Sequence, residues 1–144
     1  MPKKDQGIDP QKYLITPRTL IFIFNQKNQV LLIRGAENKR LWAGLHNGIG
    51  GHVEAGEDIL ESAQRELSEE TGISGMDLHF CGQIMIDVKP GMGVGVFLFR
   101  GMHQGQKLVD SEEGELVWVS LDDLEKLPLV ETLPGLLPWM TEYK

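Results

Sequence analysis

The stretch GHVEAGEDILESAQRELSEETGI, residues 51–73, decides the reading of this chain. Residues 58–71 contain no proline and no glycine, and Gly72 follows, so they read as a helix with a glycine stop. Each residue of a helix advances about 100°. With Glu66 at zero, Glu69 falls at about 300° and Glu70 at about 40°. Ile59 and Ala63 lie near them, and Leu60 and Leu67 close the apolar stripe at about 120° and 100°. Three carboxylates therefore overlap the face the helix should bury. Like charges three or four residues apart repel, and burial adds to the cost. A hard divalent cation is the expected compensation, because Mg²⁺ takes oxygen ligands, usually carboxylates, waters and phosphates. Asp58 and Glu61 read as a solvated acidic face.

The residues just before the stretch are rich in glycine: Asn47-Gly48-Ile49-Gly50-Gly51-His52. Glycine permits a close approach of backbone to a ligand. Such a segment can present a carbonyl to a metal that the glutamates hold. Outward from here, residues 1–16 read as a lead-in ending at Pro17. Residues 19–24 and 30–33 read as strands joined by the turn at 25–28. Residues 34–51 show no period and read as a loop. Residues 78–88 and 94–100 read as strands around a turn at 89–93. An acidic loop at 110–115 precedes a short strand at 116–119. Residues 120–124 read as an N-capped helical turn. The tail from Leu129 is apolar and interrupted by Pro134 and Pro138, and should carry a second helix. The pattern predicts a mixed sheet with helices, an α/β or α+β fold, in one domain spanning 1–144.

Composition narrows the function classes. The 144 residues carry 14 Lys+Arg and 21 Asp+Glu, a formal charge of −7. Residues 51–73 hold seven acids and one base, so nearly all the excess sits there. Such a chain lacks a basic footprint for the duplex backbone, and no nucleic-acid partner is expected. Apolar runs are far shorter than the roughly 20 residues of a membrane helix, so no membrane association is expected. No signal peptide is visible in the first residues. The single cysteine, Cys81, excludes an internal disulfide and favours a reducing compartment, here the cytoplasm. Cys81 itself reads as a small buried hydrophobe. Trp118 and Trp139 read as core, and Trp42 as core or pocket lining. His46, His52, His79 and His103 are too scattered to suggest a metal site.

The spacing Gly51, five residues, Glu57, seven residues, Arg65-Glu66-Leu67, one residue, Glu69-Glu70, one residue, Gly72-Ile73 resembles the complete Nudix box. The resemblance extends over nearly the whole chain. It implies the Nudix fold, an α/β/α sandwich around a mixed β-sheet. It also implies a Mg²⁺-dependent hydrolase, with Mn²⁺ able to substitute, acting on a small-molecule nucleotide. Carried over by position, Glu66, Glu69, Glu70 and the Gly50 carbonyl become metal ligands. Arg65 orients the glutamates, Glu57 supports the helix start, and Gly51 is the box glycine. Glu113, five residues before Trp118, matches the further glutamate of purine triphosphate members, with Glu112 as its neighbouring alternative. Glu66 and Glu113 are the candidate general bases. In oxidised-purine sanitising relatives an Asn at the place of Asn47 bonds the base; a turn role for Asn47 is the alternative. Their tail carries base-reading acids after a tryptophan. Here Val130 stands at the tryptophan's place and Glu131 is the nearest acid.

The expected reaction converts a (d)NTP, or an oxidised purine (d)NTP, to the monophosphate and pyrophosphate. Two alternatives stand beside it: hydrolysis of another nucleoside diphosphate derivative such as ADP-ribose, and a non-catalytic nucleotide-binding module. The oligomeric state is left open, a homodimer included.

Overall fold

The computed structural model describes residues 2–36 and 44–126. A short 3₁₀ turn at Lys3–Asp5 leads to strand β1 (Leu14–Phe24), followed by β2 (Gln29–Gly35), β3 (His46–Asn47) and β4 (Ile49–His52). Helix α1 (Ile59–Thr71) comes next, then β5 (His79–Lys89), β6 (Met92–Met102), β7 (Gly114–Ser120) and a 3₁₀ turn at Leu121–Lys126. The strands form one mixed sheet with β1 at its centre. β1 runs parallel to β6 from Leu14↔Met92 to Phe24↔Met102. Its other edge is shared: β2 pairs at Ile23 and Phe24, and β4 from Arg18 to Ile21, both antiparallel. β5 flanks β6 antiparallel at one edge, while β2 continues to β3 and β7.

Ile21, Phe22 and Ile23 are all fully buried, because both faces of the sheet are covered. One core lies between the sheet and α1, with Ile21, Ile23, Leu67 and Phe99. The other gathers Phe22, Leu32, Leu98 and Cys81, with Leu121 and Leu124 packed against it. Cys81 is thus the buried small hydrophobe expected, with burial raising its thiol pKa. Trp118 packs partly buried on the helix-side core. The hairpin turn forms as read: Asn28 takes a positive φ of 60°, and Asn25 Oδ1 accepts from the N–H of Lys27 and Gln29.

Three expectations need correction. β1 begins at Leu14, not after Pro17. Its first residues, Leu14 and Ile15, are apolar but exposed and cut off from the core run by Pro17, and pairing with the equally long β6 carries the strand outward. Pro17 is tolerated because it lies one residue past the last β4 pair. Residues 46–52 are not loop but two strands. Glycine hides them: a Cβ on Gly50 would collide with the Thr19 carbonyl, so β4 approaches β1 as only glycine allows. Leu60 is 44% exposed although it shares the helical angle of Leu67, since it sits in the first turn. The C-terminal helix expected beyond Leu129 lies outside the described residues, as do Trp42 and Trp139.

Candidate active site

α1 delivers its carboxylates because it is stopped and anchored at both ends. Gly72 adopts a left-handed φ of 82° and donates its N–H to the Ser68 carbonyl. From the middle of the helix, Arg65 reaches back and ties it to the preceding loop. Its Nε donates to Glu57 Oε2 at 2.6 Å and its Nη2 to Glu57 Oε1 at 3.0 Å, a two-point fork. Nη1 donates to Glu66 Oε1 at 3.0 Å and to Glu69 Oε2 at 3.1 Å, and Nη2 to the His52 carbonyl at 3.2 Å. The Arg65 guanidinium and the Glu54 N–H hold the Glu57 carboxyl down at about 2.

The buried arc of α1 comprises Ser62, Ala63, Leu67, Glu70 and Thr71. Glu70 therefore points into the interior, where its Oε2 accepts the Gly50 N–H at 2.9 Å. Burial pushes its pKa up to about 8; the Gly50 bond opposes this, and the charges of Glu66, Glu113 and Glu69 add to it. Glu66 is mostly buried, and burial raises its pKa against the pull of Arg65. A Cβ on Gly51 would stand 2.5 Å from Glu66 Oε1, so this glycine lets the carboxylate lie against β4. In an extended strand the N–H and C=O of one residue point the same way. The Gly50 carbonyl thus faces the side on which Glu70 takes its N–H.

A cleft of about 640 Å³ brings Asn47, Gly50, Gly51, Glu66, Glu70 and Glu113 together. Glu113 arrives from the far half of the chain through β7, which pairs with β2 at Gly35↔Gly114. Glu112 is exposed and does not line the cleft. Neither does Glu69, which is 58% exposed and held by Arg65 on the flank. Asn47 belongs to β3 rather than to a turn, and its Oδ1 accepts the Gly48 N–H at 2.8 Å. It also lines a smaller apolar cavity of about 120 Å³ with Leu20, Ile84, Ile86 and Val96. Glu131 lies outside the described residues. The sequence reading missed Arg18 and Glu54, which complete the cleft. Arg18 becomes visible only once β4 is seen to pair with β1.

Among the described residues, no three His, Cys, Asp or Glu side chains stand close enough to enclose a metal as they are. The donor set is nevertheless the right one for a hard cation. It is all oxygen, and its charges are felt across the cleft by Glu66 and Glu70. Arg65 is shared among Glu57, Glu66 and Glu69 and makes no bond to Glu70. Among the described residues no helix is long and apolar enough to cross a membrane.

Comparison with known proteins agrees with this geometry. The family model for the NUDIX domain matches residues 14–140. The chain is 34% identical over 123 residues to the oxidized purine nucleoside triphosphate hydrolase of Mus musculus, covering 84% of this chain and 74% of that one. Among solved structures, MutT from Methanosarcina mazei Go1 superposes with a TM-score of 0.68 at 32% identity, over 85% of this chain and 87% of the other. The NUDIX domain of Shewanella oneidensis NrtR, solved with ADP ribose, shares the fold with a TM-score of 0.72 at 18% identity, over 99% and 98% of the two chains.

Proposed function

The chain belongs to the Nudix hydrolase family, and on that premise we propose that it is a nucleotide pyrophosphohydrolase acting on purine nucleoside triphosphates, oxidised ones included. The observation that carries this reading is the convergence of Glu66, Glu70 and Glu113 on one cleft whose wall, at Asn47, opens into an apolar cavity. We take the domain to span the whole chain, 1–144, and the enzyme to work in the cytoplasm, where a lone buried thiol stays reduced.

Glu66, Glu70 and Glu113, with the Gly50 carbonyl, would hold Mg²⁺ or Mn²⁺, and Glu69 flanks them through Arg65. The bound ion neutralises phosphate oxygens and acidifies water. Arg65 and Glu57 form the frame that keeps Glu66 and Glu69 at fixed angles. Gly51 leaves room for the Glu66 carboxylate, and the Gly50 N–H orients Glu70. Glu66 or Glu113 takes a proton from water as its oxygen bonds to a phosphorus flanking the α–β bridge. The bond to the bridging oxygen breaks, and monophosphate and pyrophosphate leave. Asn47, at the mouth of the apolar cavity, bonds the purine edge, and Leu20, Ile84 and Val96 pack against its plane. Glu131 is the proposed second reader of that edge.

The mouse relative's name supports the substrate class. The test is a panel of (d)NTPs, oxidised purine dNTPs, ADP-ribose and dinucleoside polyphosphates with Mg²⁺, read by product chromatography. Purine triphosphates should give monophosphate and pyrophosphate, with no turnover in excess chelator. Preferential cleavage of ADP-ribose would move the enzyme to that branch. Binding without turnover of any compound would make it a binding module.

A further inference from the structure

Arg18 sits in β1 where two cavities meet. It lines the acidic cleft together with Glu66, Glu70 and Glu113. It also lines the apolar cavity with Leu20, Ile84 and Val96. Its cross-strand partner in β4 is His52, another residue of the cleft. Directly opposed residues on antiparallel strands share a face, with Cβ atoms about 5 Å apart. Two bases therefore stand side by side on the wall between an apolar hollow and a carboxylate cluster.

The scaffold does not account for an arginine at this place. Arg18 is exposed, and among the described residues no ion pair engages it. Among the described residues, Arg65 is the arginine that Glu54, Glu57, Glu66 and Glu69 pair with. An anion entering a cleft with Glu54, Glu66, Glu70 and Glu113 on its walls meets repulsion, and a permanent cation at the rim offsets it.

We propose that Arg18 binds the sugar-proximal phosphate of the substrate and so sets its position between base and cleavage site. The proposal rests on the pyrophosphohydrolase reading above. With the base in the apolar cavity and the scissile bridge over the carboxylates, the phosphate nearest the sugar crosses the wall that carries Arg18. A guanidinium fits two phosphate oxygens at once, which a lysine ammonium does not. The contact is to the part of the substrate retained in the monophosphate product. Arg18 is thus a positioning residue whose effect is readable without turnover.

The experiment titrates guanosine 5′-monophosphate and guanosine into the full chain with Mg²⁺ by calorimetry, comparing wild type, Arg18→Ala and Arg18→Lys. The Ala variant should weaken monophosphate binding about tenfold or more, the scale of a hydrogen bond to a charged group. It should change guanosine affinity less than twofold, and the Lys variant should recover part of the loss. Thermal melting should be unchanged, since the side chain is exposed. If the wild type binds the monophosphate and the Ala variant binds it equally well, Arg18 has no such role and the enzyme reading stands. Equal losses for nucleotide and nucleoside would make Arg18 a wall of the base cavity and overturn the phosphate assignment. If the wild type binds neither compound, the purine reading itself fails and Arg18's role fails with it.

Discussion

Glu57 and Glu70 lie thirteen positions apart in one acidic segment, and their environments drive them in opposite directions. Glu57 receives both prongs of Arg65 and is held at about 2. Glu70 is buried, takes a single backbone N–H and is pushed up to about 8. The difference is where the arginine goes. Arg65 bonds Glu57, Glu66 and Glu69 and makes no bond to Glu70. A carboxylate matched by a protein cation is framework. A buried carboxylate with no such match waits for a cation from outside. Reading the two this way yields a ranking of effects.

The largest effect should come from Glu70. Glu70→Gln should lower kcat by at least ~10²-fold, the scale of losing a general-base or metal-site group. The fold should survive, since the Gln oxygen can still accept the Gly50 N–H. Steady-state kinetics with Mg²⁺, beside a melting curve, checks both halves. A near wild-type kcat would leave Glu70 a buried acid without chemistry and erase the contrast with Glu57.

Next comes a pH effect on the metal-free protein. Below about pH 4.5 Glu70 is protonated folded and unfolded, so it contributes no difference. Between 4.5 and about 8 the unfolded chain gives up this proton while the folded one keeps it. The unfolded state then binds fewer protons, and stability falls as pH rises through that window. The loss reaches a few kcal/mol and is complete above about pH 8. Denaturant titrations in chelator, at pH 5, 7 and 9, should show this slope in the wild type. It should be absent from Glu70→Gln, so that the difference between the two proteins carries it. A slope of the opposite sign would place Glu70 among matched carboxylates, with Glu57.

The substrate side should respond more modestly. Asn47→Ala should cost roughly 5- to 150-fold in kcat/KM on a purine triphosphate, the cost of one buried partner left unpaired. A poorly bound pyrimidine triphosphate should be spared, because the phosphate contacts are untouched. Equal loss on both would assign Asn47 to holding β3 in place.

The helix and most of its charges were legible because a helix repeats: angles alone put Glu70 on the face that turns out buried and Glu66 beside it, while Glu69, read onto the same arc, is exposed. The hairpin was legible through Asn25 and Asn28, whose chemistry is local. β4 was not, because glycine has no side chain to alternate and its strand exists only by pressing on β1. The part of β1 before Thr19 was not, because its residues are mostly exposed and its order comes from β6. Glu113 was placed by likeness to relatives, whereas the physical cause is the β2–β7 ladder, a contact between distant parts of the chain. Arg18 escaped for the same reason. Pairings between distant segments leave no local periodic trace, so the half of the site on one helix could be read and the half on the sheet could not.

The smallest expected effect separates two neighbours. Glu112 and Glu113 differ by one position on the turn before β7, and likeness to relatives points to Glu113 while keeping Glu112 as the alternative. The ladder does. Gly114 pairs with Gly35, and Ala36 N–H donates to the Glu113 carbonyl at 3.1 Å, which fixes the backbone against β2. The Glu113 N–H in turn donates to Ser111 Oγ at 3.2 Å. Held this way, Glu113 lines the cleft and its charge raises the pKa of Glu66 and Glu70, while Glu112 stays exposed. Glu112→Gln should therefore leave kcat and KM within about twofold of wild type, the scale of a screened surface charge. Glu113→Gln should cost at least about tenfold in kcat, because it removes either a proton acceptor or an oxygen ligand. Parallel kinetics on the two variants checks the pair. A larger loss at Glu112 than at Glu113 would mean that the turn before β7 rearranges when substrate binds.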